Sequence, residues 1–252
     1  TAYEIPKRDW SSDVCSSDLQ AGALSAEQFN VLSAEQLGAF STSLIKSLSE
    51  SNIAELSSEQ LAGLSSAQIG ALTTTQIQSL SAANIGSLST TQVRGLTSVQ
   101  ARVLNTDQID ALSLVQVASI ANITLAALTG TNVAELSSEQ VGALTASQLT
   151  ALTAGQVRSI DAGDLAALST TQVKALSSAQ LNALTASQVG VLSATQIGAL
   201  SINAVKGISG ANLRALTNEQ FAGFTTSQLV SLSAGQIRVL TPTEISGLSD
   251  TQ

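Results

Sequence analysis

From Leu24 onward, an apolar residue stands at every eighth position of this chain. The series opens with Leu24, Leu32, Phe40, Leu48, Leu56, Leu64 and Leu72 and runs without insertion or deletion to Leu232, Leu240 and Leu248, with only Phe or Ile as substitutes, as at Ile120, Ile160, Ile208 and Phe224. A second apolar series follows each anchor by five residues: Phe29, Leu37, Ile45, Ile53, Leu61, Ile69 and Ile77, continuing to Ile245, with Ala101 its one small member. Self-similarity at a fixed period points to units that cannot bury their apolar surface alone and must stack. A period of eight excludes one long helix, because eight residues at about 100° each advance the apolar stripe by roughly 80° per repeat and leave no single face to bury.

The residue after each anchor is Ser or Thr, except at Asn105, Ala121 and Asp161, and three residues further on stands, most often, Gln. Leu-(Ser/Thr)-x-x-Gln-(Ile/Val/Leu)-x-small reads as a helix start. The hydroxyl of the N-cap accepts from the amide of the third helical residue, the Gln there reaches back to the N-cap amide, and the preceding Leu packs on the next apolar residue. Ser25, Ser57, Thr73, Ser89, Thr145, Ser169 and Thr241 are such N-caps. Pro242 falls at the first helical position, where a missing N–H is harmless. Acids crowd the first turn, as at Glu27, Glu35, Glu59, Asp107, Glu139, Glu219 and Glu244, and the repeat-region bases fall near its end. The helix dipole favours both placements.

These signals predict an all-α solenoid of very short capped helices, one per octad. Leu56, Leu64, Ile69, Leu72, Ile77, Leu144, Leu176 and Leu200 belong to its thin core. A β-solenoid is the alternative: the two apolar series differ by an odd number and would face opposite sides of an unbroken strand, but turns could repair this. Isolated helices below about 12 residues are marginal in water, so the octads must stack. The residue before each anchor is small (Ala71, Ser79, Ser87, Gly95, Ala143, Ala175, Gly207), which lets neighbouring helices approach. If two octads form a layer, the array is a rod on the order of 120 Å long. Residues 20–252 read as a single array without an internal boundary.

Composition narrows the function. Hydrophobic residues make up 44% of the 252, but aromatics only 2%, and Met and His are absent, so the core is built of small aliphatic pieces. The net charge of -8, with no basic cluster, argues against nucleic acid and anionic membrane as partners. Ser, Thr and Gln interrupt every apolar run, so none approaches the roughly 20 residues needed to cross a bilayer. Without His, Met or a Cys in the repeats, the array lacks the ligands for a transition metal or haem and the base for a Ser-His or Cys-His nucleophile. No cofactor, metal or catalytic residue is expected, and the chain does not read as an enzyme. Asp161 and Asp164, the closest carboxylate pair, occupy capping positions, and Asp107 and Asp110 a solvated face. Asn122-Ile123-Thr124 matches a glycosylation sequon by chance. Arg94, Arg102, Arg158, Lys174, Arg214 and Arg238 share one octad position. They form either a solubilising face or a sparse stripe along one side for acidic glycans.

Residues 1–19, TAYEIPKRDWSSDVCSSDL, share neither composition nor period with the rest and hold Cys15, Trp10 and Tyr3, the lone residues of their types. The run RDWSSDVCSSDL resembles the conceptual translation of a sequencing adapter, found at the ends of metagenomic reading frames. The resemblance implies a non-native, disordered segment and an array truncated at both ends, so that no signal peptide can be sought.

Units such as LSSEQLAG, LSSAQIGA, LTTTQIQS and LSTTQVKA resemble the repetitive stretches of very large bacterial secreted or surface proteins labelled haemagglutinin-like, adhesin-like or haem-utilisation; the resemblance covers Leu24 to Gln252. It implies an exported, secreted or cell-surface bacterial protein in which this segment is a structural spacer. Haem binding by the segment is not implied, because no haem ligand is present. The alternative is a binding module whose extended surface takes a peptide, a glycan or an identical rod.

Overall fold

The computed structural model describes residues 24–252. The adapter-like segment 1–19, with Cys15, lies outside the described residues. Within them the chain forms 28 helices of four to six residues and no strand, which removes the β-solenoid alternative. Helix starts keep the octad register throughout, from Ala26 and Ala34 to Ala234 and Pro242.

Each helix is set by its own octad. Thr73 shows the pattern: its Oγ1 accepts from the Gln76 N–H at 3.2 Å, and its own N–H donates to Gln76 Oε1 at 2.8 Å. The same capping box closes at Ser25, Ser57, Ser89, Thr145, Ser169 and Thr241. Helices this short leave most of their N–H groups without an intrahelical partner, so a box that satisfies two of them decides where the turn begins. The end is set by the next anchor. Leu72 adopts φ -55°, ψ 140° and Thr73 φ -70°, ψ 164°, so two extended residues turn a corner before the next helix.

Contacts group the described residues into two compact units, 24–95 and Leu96–Gln252. Within each, helices pack on the third helix along the chain, giving three stacks. In the first unit these are Ala26–Asn30, Glu50–Ala54 and Thr74–Ser79; Ala34–Gly38, Ser58–Ala62 and Ala82–Ser87; and Thr42–Ser47, Ser66–Ala71 and Thr90–Arg94. In the second unit, Asn122–Leu125, Ala146–Ala151, Thr170–Ala175 and Ala194–Ala199 follow one another in one stack. Three octads and part of a fourth therefore make a turn, not the two assumed from sequence. The reason is the corner: an anchor and a cap that are both extended bend the path, whereas a two-octad layer would need a reversal at each junction.

The interior of each turn is lined by the two apolar series. Ile69, Ile77, Val141 and Ile197 are fully buried, and the anchors Leu56, Leu64, Leu72, Leu144, Leu176 and Leu200 nearly so. Each such side chain contributes about 1.5–3 kcal/mol of transfer free energy, which is what offsets the ordering of helices with no independent stability.

The small residue before the anchor sets how closely turns approach. A Cβ added at Gly63 would lie 2.2 Å from the Ala34 carbonyl oxygen, and one at Gly207 2.3 Å from that of Ser178. At Gly223 the clash, 2.4 Å from the Ala194 oxygen, is again with backbone. Gly223→Val is therefore expected to destabilise the array by about 1–3 kcal/mol. The urea midpoint measures this, and Gly190→Val, where an added Cβ meets nothing within 4 Å, serves as the reference.

Candidate functional site

The recurrent Gln position of the octad does more than cap. Gln180 accepts at Oε1 from the Ser177 N–H (2.8 Å) and Oγ (3.0 Å), while its Nε2 donates to the carbonyls of Leu149 (2.7 Å) and Leu152 (2.8 Å) one turn earlier. Gln148 does the same to Val117 and Ile120, and Gln76 to Ile45 and Leu48. Of each pair, the carbonyl of the second apolar residue also accepts from the anchor N–H, as Leu149 does from Leu152, whereas the anchor carbonyl lies past the helix end, beyond any intrahelical donor. One buried amide thus caps the start of its own helix and the end of a helix in the preceding turn. Sequence reasoning found only the first half of that role. A signal for the second was present: a capping box accepts Glu as readily as Gln, yet a carboxylate occupies this position only at Asp164 and Glu244. A carboxylate cannot donate.

Substitutes for Gln lose one half or the other: at Leu44 and Ala204 the Ser41 and Ser201 hydroxyls still accept from the backbone N–H, but the side chain carries no donor for the preceding turn. Asn52 and Asn212 make no reciprocal box, but their Nδ2 groups donate to the carbonyls of Leu24 (3.1 Å) and Leu184 (2.9 Å). Where the cap itself is lost, at Ala121, Thr124 Oγ1 still donates to the Leu96 carbonyl at 2.9 Å. The sequon match Asn122-Ile123-Thr124 is explained by this: its hydroxyl is a buried clamp. Asp161 caps its helix by accepting from the Gly163 N–H at 3.0 Å, and Asp164 accepts from Ser138 Oγ of the neighbouring turn.

The exposed cations are arranged otherwise than the shared octad position implied. Arg94 lies in the first unit. In the second, Arg102 and Lys174 belong to one stack of helices, Arg158 to another, and Arg214 and Arg238 to the third. All are exposed. Neighbouring octads enter different stacks, so only residues separated by a multiple of 24, such as Arg214 and Arg238, share a stack.

Among the described residues no group of His, Cys, Asp and Glu is placed to hold a metal ion, and no helix is long and apolar enough to cross a membrane.

The model of the ALTTAQ repeat matches residues 51–82, 82–114, 157–194 and 175–202. The chain carries a tandem-repeat region similar to the ALTTAQ repeat. The matches together cover less than half of the chain, and no curated protein matches it. The six letters of the repeat name fit one frame of the structure, from the close-approach residue to the clamp, as in Ala143-Leu144-Thr145-Ala146-Ser147-Gln148.

Two outcomes test the clamp of this ALTTAQ-like frame. Gln180→Glu keeps the cap but buries a carboxylate against two carbonyls, and is expected to destabilise by about 3–5 kcal/mol at neutral pH. Burial raises the folded-state pKa of that new carboxyl above the unfolded value of about 4.3, so the penalty is full above the folded pKa, shrinks as pH falls from the folded toward the unfolded value, and is gone below the unfolded one. Urea unfolding at both ends of that range measures it. Thr145→Ala removes only the hydroxyl acceptor and is expected to lower stability by about 1 kcal/mol.

Proposed function

We propose that this segment is a non-catalytic structural spacer of a large adhesin-like bacterial protein, secreted or displayed at the cell surface. The observation that carries this reading is how the octad spends its side chains. The anchor, the cap, the Gln, the second apolar residue and the small residue all serve turn-on-turn stacking, and the positions left exposed share no chemistry. The first two helical residues, for example, are Ala34 and Glu35, Thr74 and Thr75, Leu114 and Val115, and Asn218 and Glu219 in different octads. A surface built this way supports reach rather than recognition. The resemblance of units such as LSSEQLAG to repetitive exported proteins supports the location.

A second reading, a surface for acidic glycans, is favoured by one feature: Arg214 and Arg238 lie in contacting helices of successive turns, Gly210–Arg214 and Ala234–Ile237, Arg238 as the C-cap of its helix. Glycan and peptide arrays probed with the purified chain decide between them. The spacer reading expects no saturable binding; saturable binding that disappears in Arg214→Ala/Arg238→Ala overturns it in favour of the second.

A further inference from the structure

The clamp position carries a second, longer period. From Leu44 onward every fifth octad departs from Gln there, at Leu44, Asn84, Thr124, Asp164, Ala204 and Glu244, joined only by Asn52, Asn132 and Asn212, which are themselves 80 residues apart. The runs SNIAELSSEQ at 51–60 and TNVAELSSEQ at 131–140 keep the same 80-residue register. Asn84 and Thr124 still donate to the anchor carbonyls of Leu56 (2.8 Å) and Leu96 (2.9 Å). In the unit Leu96–Gln252 the later members do not. Asp164 accepts from Ser138 Oγ, Glu244 accepts from the Thr241 N–H and Oγ1, and the Ala204 side chain has no polar atom. The carbonyls of Leu136, Leu176 and Leu216, 28 residues earlier, receive no side-chain donor among the described residues, although all three leucines are buried.

The octad of Ala204 is otherwise built like its neighbours. Ser201 Oγ caps the helix by accepting from the Ala204 N–H at 3.1 Å, as Ser209 Oγ does from Asn212 at 3.1 Å one octad later. Its helix, Ile202–Val205, has only four residues, as does Ala162–Leu165 beside Asp164, and a surface groove lined by Lys174, Gly198, Leu200, Ser201, Ile202 and Asn203 opens next to it. Between the two octads, Gln172, Gln180, Gln188 and Gln196 all reach their anchor carbonyls. We propose that the octads of Asp164 and Ala204 are seams at which turn parts from turn within the folded array, while the four clamped octads between them stay closed. Elsewhere, opening a junction breaks the amide's bonds to the turn below. At a seam there is no such bond to break, and the buried carbonyl regains water when the junction opens. The array therefore flexes in blocks of 40 residues, not octad by octad. This goes beyond the spacer reading and does not depend on it, since the seams follow from the missing donors alone.

Hydrogen exchange of the whole chain, resolved to single amides, tests this. Ile197, Val205 and Leu213 hold the same position in three successive octads, are each 0% exposed, and donate to the carbonyls of Ser193, Ser201 and Ser209 at 2.9, 3.0 and 2.9 Å. They differ in the octad around them: box and clamp for Ile197, neither for Val205, and clamp without box for Leu213. Val205 is expected to be at least about tenfold less protected than Ile197, with Leu213 close to Ile197, and Leu165 at least about tenfold less protected than Val173. Ala204→Asn supplies the donor that Asn212 supplies one octad later, and is expected to bring Val205 up to the level of Leu213 while leaving Leu165 unchanged. Gln180→Ala creates a seam where none exists and is expected to lower the protection of Leu181 by at least about tenfold, which keeps the test alive if Asn does not fit at position 204. The proposal is overturned if Val205 is as protected as Ile197 or Leu165 as Val173, if Leu213 exchanges as fast as Val205, if a folded Ala204→Asn chain leaves Val205 unchanged, or if Gln180→Ala leaves Leu181 unchanged.

Discussion

A carboxamide that works at both ends is the interaction on which the rest of this protein depends. A helix of five residues has almost no internal hydrogen bonding: four N–H and four C=O groups lack partners at the termini of any helix, and here the termini are nearly all there is. The buried Gln resolves both deficits. Gln76 accepts at the start of its own helix and donates at the end of another, and the apolar series can then remain buried without stranding backbone groups beside it. Hydrophobic stacking alone would hold such turns together but would not fix their spacing. The amide does, because its reach from a given helix start allows only a narrow distance to the carbonyls beneath.

Single octads tolerate the loss of either half. The reciprocal box is given up at Asn52 and Asn212, and the cap hydroxyl at Ala121, while the donor to the preceding turn persists; at Leu44 and Ala204 the donor is given up while the Ser41 and Ser201 caps persist. A missing box exposes an N–H that water reaches easily at a helix start. A missing clamp leaves a carbonyl facing the interior, where desolvation is uncompensated. Close backbone approach at Gly63, Gly95 and Gly207 belongs to the same design, since the short amide can bridge only turns that nearly touch.

Much of the local structure was legible in the sequence because it is decided within eight residues. Thr241-Pro242 and the Ser-x-x-Gln units locate helix starts by chemistry that needs no distant partner, and the anchor and second apolar positions are the core. What was not legible is decided between octads. The number of octads in a turn depends on the corner made by two extended residues, and a periodic sequence is equally consistent with several values. Once that number is three and a fraction, the cations at one octad position scatter over three stacks, although the sequence aligns them. The second role of Gln was hidden for the same reason: its acceptors lie 28 and 31 residues away and are backbone atoms, which leave no mark in the sequence. The avoidance of Glu at that position was the one trace.

Because each clamp finds its acceptors on whichever turn lies beneath it, and every anchor presents the same carbonyl, the acceptors are interchangeable. Unequal recombination that removes or adds whole octads would leave each amide facing a usable partner, whereas a gain or loss of any other number of residues would throw all later amides out of phase with the turns below. The gene can thus drift in copy number in steps of eight codons without refolding its product.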